Sequence, residues 1–220
     1  MSTLPVNPAP ETDAATDAAK RVLPPKPRAA ALVALSFTLL LYLVELVDVI
    51  LPGDLDQGGI HSRALSGLDG VLFAPVLHAG WSHLFANTVP VLVFSFLAMA
   101  AGIGRFALVT AIIWVGSGLG VWLAGPSDGV TVGASGLAFG WLAYLLVRGL
   151  FNRAAGQILV AVVLLGVWSG MLAGLLPGNP GVSWQGHVFG ALAGVLAAWL
   201  TSRTGKSRKA GSAVPGNLGV

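Results

Sequence analysis

Long apolar runs, separated by short polar stretches, dominate the chain. Six of them stand out, at Ala30–Leu51, Trp81–Ala101, Phe106–Leu123, Ser135–Leu150, Ile158–Leu176 and Gly186–Thr201. A helix that crosses a bilayer needs about 20 mostly apolar residues. The pattern therefore predicts six membrane-spanning helices. The fourth and sixth are the shortest and the richest in glycine, and taken alone they fit a buried core helix as well as a span.

Composition decides that ambiguity. Of 220 residues, 55% are hydrophobic and only 10% charged, whereas soluble domains carry about a quarter charged residues. The solvent is lipid, and the expected fold is an all-α polytopic membrane protein. Residues 1–28, rich in Pro, Ala, Thr and Asp, read as a disordered lead, with no cleavable signal expected. Residues 29–202 form the membrane domain, and residues 203–220 read as a disordered basic tail. There are no cysteines, which excludes disulfides, thiolate metal sites and a cysteine nucleophile.

The basic residues set an orientation. With the N-terminus inside, the inner segments hold Lys20, Arg21, Lys26, Arg28, Arg105, Arg148, Arg153, Arg203, Lys206, Arg208 and Lys209, and the outer loops hold only Arg63. Cytoplasmic loops favour Lys and Arg. The expectation is a multi-pass protein of a bacterial cell membrane with both termini cytoplasmic. This distribution also accounts for the net charge of +3 without a nucleic-acid partner. The outer loops carry Asp54, Asp56, Asp69 and Asp128. The loop from Pro52 to Gly80 is the only long one, and its Val71-Leu72-Phe73 run predicts an ordered segment lying partly in the interface.

Polar groups inside a membrane are costly, so each requires a reason. In this topology the second, fourth and sixth segments start at the outer face, and their first turns place His83, Asn87, Ser135 and His187 at similar depth. Ser135, in Gly133-Ala134-Ser135-Gly136, needs a base to become a nucleophile, and His187 titrates in the right range. The bland alternative for Ser135 is a small packing residue. Gly186, Gly190 and Gly194 share one helical face, and Gly136 and Gly140 repeat that spacing on the fourth segment. Small-xxx-small faces let backbones approach closely, so the two segments are expected to touch along these glycines with Ser135 and His187 at the outer end. His83 and Asn87, at i and i+4, are hydrogen-bond donors suited to an oxyanion site or to an interhelical clamp. His78 reads as a hydrogen-bonding residue at the start of the second helix. Glu45 and Asp48 lie near the outer end of the first segment, as interfacial polar residues or a tie to the first loop.

Taken together, His78-Ala79-Gly80-Trp81-Ser82-His83-Leu84-Phe85-Ala86-Asn87, Gly133-Ala134-Ser135-Gly136, and Gly186-His187 with Gly190 and Gly194 resemble the rhomboid family of intramembrane serine proteases in its bacterial six-helix form. The resemblance spans about Ala29 to Thr201. It implies Ser135 as nucleophile and His187 as general base, a dyad without a buried acid. It implies His83 and Asn87, with backbone N–H groups near Ser135, as the oxyanion site. It implies a water-filled cavity open to the outer face and single-span transmembrane substrates, with no cofactor and no metal. Two positions depart from the family pattern. The first loop reads Leu68-Asp69-Gly70-Val71 where many members carry a Trp-Arg pair, and Phe139 stands where a tyrosine often lies beneath the base. An H-E-x-x-H helix and paired intramembrane aspartates are absent from the sequence. The competing expectations are a non-catalytic rhomboid-like binder of transmembrane helices and a small polytopic transporter or channel.

Overall fold

The computed structural model describes the backbone of residues 18–210 and the side chains of residues 18–202. Among the described residues, the α-helices from Pro27 onward are, in order, α1 (Pro27–Ile50), the single turn α2 (Gly70–Phe73), α3 (Trp81–Ala98), α4 (Ile103–Ala124), α5 (Ser135–Asn152), α6 (Ala155–Trp168) and α7 (Trp184–Ala210). Among the described residues there is no strand, only an isolated bridge between Ile60 and Thr131. Four stretches of the described residues are long and apolar enough to cross a membrane: Pro27–Ile50, Trp81–Ala101, Ile103–Ala124 and Ala155–Leu175. The fourth and sixth apolar segments, α5 and α7, are not among these four. They are the helices that pack most intimately in the bundle.

Each perimeter helix buries one narrow stripe. On α1 this is Ala30, Ala34, Thr38, Leu41 and Glu45, spaced by three or four residues as one helical face requires. Its other faces leave Leu32, Leu35, Leu39 and Leu43 exposed, as suits a helix solvated by acyl chains. The stretch Ala155–Leu175 buries only 6% of its apolar window and is the most peripheral. At the centre, Trp141 of α5 stacks on Phe106, meets Phe37 edge-on and donates its indole N–H to Thr110 Oγ1 at 3.0 Å.

α7 is wedged between α4 and α5 by missing side chains. A Cβ on Gly190 would strike the carbonyl oxygen of Gly136, and one on Gly194 that of Gly140. These are main-chain contacts between α5 and α7 along the four glycines expected from the sequence. On the opposite side, Gly116 faces Ala193 and Gly120 faces the Phe189 ring. α4 thus presents its own small-residue face, which the sequence reading did not single out.

Several boundaries differ from the sequence reading. α6 begins at Ala155 rather than Ile158. It ends as an α-helix at Trp168, and Ser169–Leu175 winds as a 3-10 helix through Gly170 and Gly174. Glycine weakens the regular α-helix, because it loses most conformational freedom there, and the chain ends in the tighter 3-10 winding common at helix termini. α7 starts at Trp184 and runs past Thr201 to Ala210, so the tail expected from Arg203 begins as a continuation of that helix; residues 211–220 lie outside the described residues. The disordered lead was expected to reach Arg28. Residues 1–17 lie outside the description, but residues 18–26 are held against the bundle. Asn152 donates to the Ala19 carbonyl at 3.1 Å, and Gln157 donates to the carbonyls of Ala19 and Arg21 at 2.8 and 2.9 Å. Two amide side chains at the α5–α6 turn satisfy a backbone that composition alone marks as unstructured.

The first loop is ordered, and it is braced from α4. Trp114 Nε1 donates to the Val71 carbonyl at 2.9 Å, and Trp122 Nε1 to the Ala64 carbonyl at 2.8 Å. In the other direction, Arg63 Nη1 donates to the Gly125 carbonyl at 2.7 Å, just past the C-terminus of α4, where a helix end favours a cation. Ser62 Oγ donates to the Val121 carbonyl at 3.0 Å. These bonds tie the first loop to α4, although the loop has no Trp-Arg pair. Val71 is buried while Leu72 and Phe73 are exposed, which gives the loop the apolar outer surface an interfacial segment requires.

Candidate active site

The site forms where α3, α5 and α7 begin, at the end of the bundle covered by the first loop. Gly133 has φ 121°, a conformation glycine adopts without strain. A Cβ there would press on the His83 ring, at 2.6 Å from Cε1 and 2.8 Å from Nε2. The absent side chain lets the imidazole of α3 lie directly on the loop that leads into Ser135. Two bonds from the first loop pin that lead-in. The Gly133 N–H donates to the Ala74 carbonyl at 2.8 Å, and the Ala134 N–H donates to His78 Nε2 at 3.3 Å.

Ser135 is the first residue of α5 and is half-buried. Its Oγ lies 2.9 Å from Nε2 of His187, a buried residue in the first turn of α7. The other ring nitrogen, Nδ1, is 2.9 Å from the Gly174 carbonyl in the 3-10 segment after α6. A carbonyl only accepts, so Nδ1 carries the proton and Nε2 offers its lone pair to the Ser135 hydroxyl. Phe139, one turn into α5, stacks on the imidazole with centroids 4.0 Å apart and planes 11° from parallel. The ring supports the base without the hydroxyl of a tyrosine. Gly174 must be small, because a Cβ there would sit 3.0 Å from His187 Nδ1 and 3.2 Å from Phe139 Cζ.

Ser135 and His187 face a cavity of about 670 Å³ also lined by His83, Asn87 and Pro90. That volume is in the range of ligand-binding clefts. Pro90 lies inside α3 and has no N–H, so the Ala86 carbonyl lacks its usual helical donor, and Ala86 also lines the cavity. Asn87 Nδ2 donates to the His83 carbonyl of its own helix at 3.0 Å. The second hydrogen of that NH2 group is left to donate to a ligand.

The structure therefore brings together His83, Asn87, Ser135, Phe139 and His187, with Gly133, Gly136, Gly140, Gly186, Gly190 and Gly194 at the helix contacts around them. His78 differs from the sequence reading. It does not serve the start of its own helix but crosses to the start of α5. Gly80, with φ 94°, turns the chain between His78 and α3, which directs the imidazole to the other segment. Burial first, and the neighbouring His83 second, push the His78 imidazole down to about 4, while the Val76 carbonyl counteracts weakly without completing a hydrogen bond to Nδ1. A neutral ring is what accepting from Ala134 N–H requires.

Three further residues shape the site. Ser117 of α4 is buried and donates to the Gly186 carbonyl at 2.9 Å, which ties α4 to the turn that presents His187. Ser183 caps α7, its Oγ accepting from the Gly186 N–H at 3.3 Å. Gly174 contributes a main-chain carbonyl to the base. Small polar residues in an apolar run were the only sequence signal for the first two.

Apolar helices with lipid-type outer faces, packed around a cavity, mark an integral membrane protein. A rhomboid domain matches residues 67–204, more than half of the chain. An uncharacterized protein of Mycobacterium tuberculosis is 52% identical over 184 residues, covering 80% of this chain and 77% of its own. One from Mycobacterium leprae is 48% identical over 184 residues, covering 80% and 73%. A Bacillus subtilis protein with the provisional name rhomboid protease YdcA is 32% identical over 132 residues, covering 59% of this chain and 65% of its own. The chain belongs to the rhomboid family, and that membership points to intramembrane proteolysis.

Proposed function

We propose that the protein is an intramembrane serine endopeptidase that hydrolyses peptide bonds of single-span transmembrane substrates with a Ser135–His187 dyad. The observation that carries this reading is the 2.9 Å Oγ···Nε2 contact, with Nδ1 held by the Gly174 carbonyl. Nε2 takes the proton as Ser135 Oγ bonds to the scissile carbonyl carbon. The imidazolium then returns that proton to the leaving amine as the C–N bond breaks. Water, deprotonated by the same nitrogen, cleaves the acyl ester and restores Ser135. The negative oxygen of the tetrahedral intermediate is met by N–H groups at the start of α5, by His83 and by the Asn87 Nδ2 hydrogen that the His83 carbonyl does not take. Donors that are already in place need no reorganisation as that charge develops.

The cavity opens to the outer face and both termini are cytoplasmic, a placement supported by the distribution of Lys and Arg. The test uses the full chain in detergent or liposomes. A fluorophosphonate probe should label Ser135 covalently, and a transmembrane substrate should be cut by the native chain but not by Ser135→Ala or His187→Ala. Absence of labelling together with unchanged substrate binding would instead identify a non-catalytic binder of transmembrane helices.

A further inference from the structure

A helical carbonyl points along its helix towards the residue four positions on, whose N–H it accepts. In α3 the residue four positions after Ala86 is Pro90, which has no N–H to give. Both ends of that missing bond, Ala86 and Pro90, line the cavity of about 670 Å³ that Ser135 and His187 also line. The Ala86 carbonyl, which points from one to the other, therefore faces the cavity. Neighbouring side-chain donors serve other carbonyls of the helix. Asn87 Nδ2 donates to the His83 carbonyl at 3.0 Å, and Thr88 Oγ1 to the Leu84 carbonyl at 2.9 Å.

An occupant that displaces water from this wall leaves the carbonyl unpaired unless it brings a donor, and an unpaired main-chain acceptor is costly. Other lining residues include Ala79, Phe139, Met171 and Ala173, whose side chains carry no polar hydrogen. A transmembrane segment brings the matching donor in one state only. Beyond its first turn a regular helix spends its N–H groups internally. An unwound stretch carries N–H groups that need an acceptor. Cleavage itself requires an unwound stretch, because Ser135 Oγ must approach a main-chain carbonyl carbon that a regular helix encloses.

We propose that the Ala86 carbonyl, freed by Pro90, is a substrate-binding acceptor that takes a main-chain N–H of the unwound substrate near its scissile bond, and so selects unwound over helical segments. The proposal rests on the protease reading. In that reading His83 and Asn87 serve the oxyanion, and Ala86 belongs to the same turn of α3. One turn of helix thus offers donors to the reacting carbonyl and an acceptor to an N–H close by. Pro90 is the specificity-determining residue, acting through the bond it cannot make.

The experiment compares the full native chain with Pro90→Ala in liposomes on one transmembrane substrate. Alanine restores the N–H at position 90, which closes the bond to Ala86 and silences the acceptor. kcat/KM should fall by about tenfold, the effect of one hydrogen bond whose partner is left unpaired. The Tm should not fall, since alanine suits a helix interior better than proline, and a fluorophosphonate should still label Ser135. Val89→Ala, at an exposed position outside the cavity lining, should cut as the native chain does. The substrate is then varied by replacing single residues near the cut, outside the scissile bond, with their α-hydroxy analogues, which deletes one N–H at a time. One such position should cost about tenfold with the native chain and nothing further with Pro90→Ala, because both changes remove the same bond. Losses that multiply at every position would overturn the proposal, and so would a folded Pro90→Ala variant that cuts at the native rate. If Pro90→Ala does not fold, Pro90→Val restores the same N–H and takes its place. Absence of Ser135 labelling in the native chain would instead sink the protease reading on which the proposal rests.

Discussion

Gly190→Ala adds a single methyl group and should nonetheless cripple the site. The new Cβ would strike the Gly136 carbonyl oxygen and lie 3.0 Å from the Gly136 carbonyl carbon and 3.3 Å from its Cα. Ordinary contacts between such atoms are about 3.5–4.0 Å. The obstacle is main chain, so no rotamer can relieve it, and α5 and α7 must separate by about 1 Å. The Ser135–His187 bond starts at 2.9 Å and would open towards about 4 Å, beyond hydrogen-bond range. Misplacement by about 1 Å commonly costs about 100-fold in rate, and overpacking costs about 1–3 kcal/mol in stability. The assay is cleavage of a transmembrane substrate in liposomes, alongside fluorophosphonate labelling and thermal unfolding. Gly166→Ala is the control, because its Cβ would meet nothing within 4 Å. A folded Gly190→Ala variant that cuts at the native rate would refute the claim that glycine contacts set the dyad.

Ser135→Ala and His187→Ala should each abolish cleavage with folding intact, and the double variant should be no worse than either, because the pair acts as one unit; unequal residual rates would break that unit. Asn87→Ala should lower the rate of substrate cleavage by about 100-fold, the usual effect of losing one oxyanion donor, and a normal rate would reduce Asn87 to a helix clamp. His78 is held near 4 when folded against about 6.5 when unfolded. Its contribution is complete above about pH 6.5 and is lost as pH falls from there towards 4, by about 3 kcal/mol in total. Asp56 has the opposite sign, since its raised value favours the folded state as pH falls below about 6. The pH dependence of Tm for the native chain minus that for His78→Gln isolates the histidine, and a flat difference would contradict the neutral-acceptor role. Trp122→Phe should remove one brace of the first loop and speed proteolysis of that loop near Ala64, with α4 otherwise intact; an unchanged proteolysis rate would show that the indole bond does not hold the loop.

The helix contact and the residues of the site were legible because each left a mark in residue type and spacing. Glycines four apart on two segments predict a close approach, and polar side chains in apolar first turns announce themselves by their cost. What stayed hidden rests on atoms that no residue type encodes. The group that orients His187 is the carbonyl of Gly174, and any residue has a carbonyl. The first loop is held by Trp114 and Trp122 through indole N–H groups to main-chain oxygens, and a tryptophan in a membrane helix is ordinarily an interfacial or packing residue. The lead fails compositional tests for order, yet Asn152 and Gln157 bind its backbone rather than its side chains. The gain of α6 at Ala155 and its early end at Trp168 reflect the balance of helix against 3-10 geometry at Gly170 and Gly174, which hydropathy does not measure.

The contact of Gly190 and Gly194 with the Gly136 and Gly140 carbonyls is peptide plane against peptide plane. Peptide planes have no rotamers, so the spacing of the two helices does not breathe with side-chain hopping as a leucine-packed seam would. The tolerance of the Ser135–His187 alignment is therefore set by bond geometry, like that of a machined part. Apolar residues elsewhere in the bundle are correspondingly free to drift in identity. Substitutions among the exposed leucines of α1 and α6 would change how the protein sits in lipid without entering that tolerance.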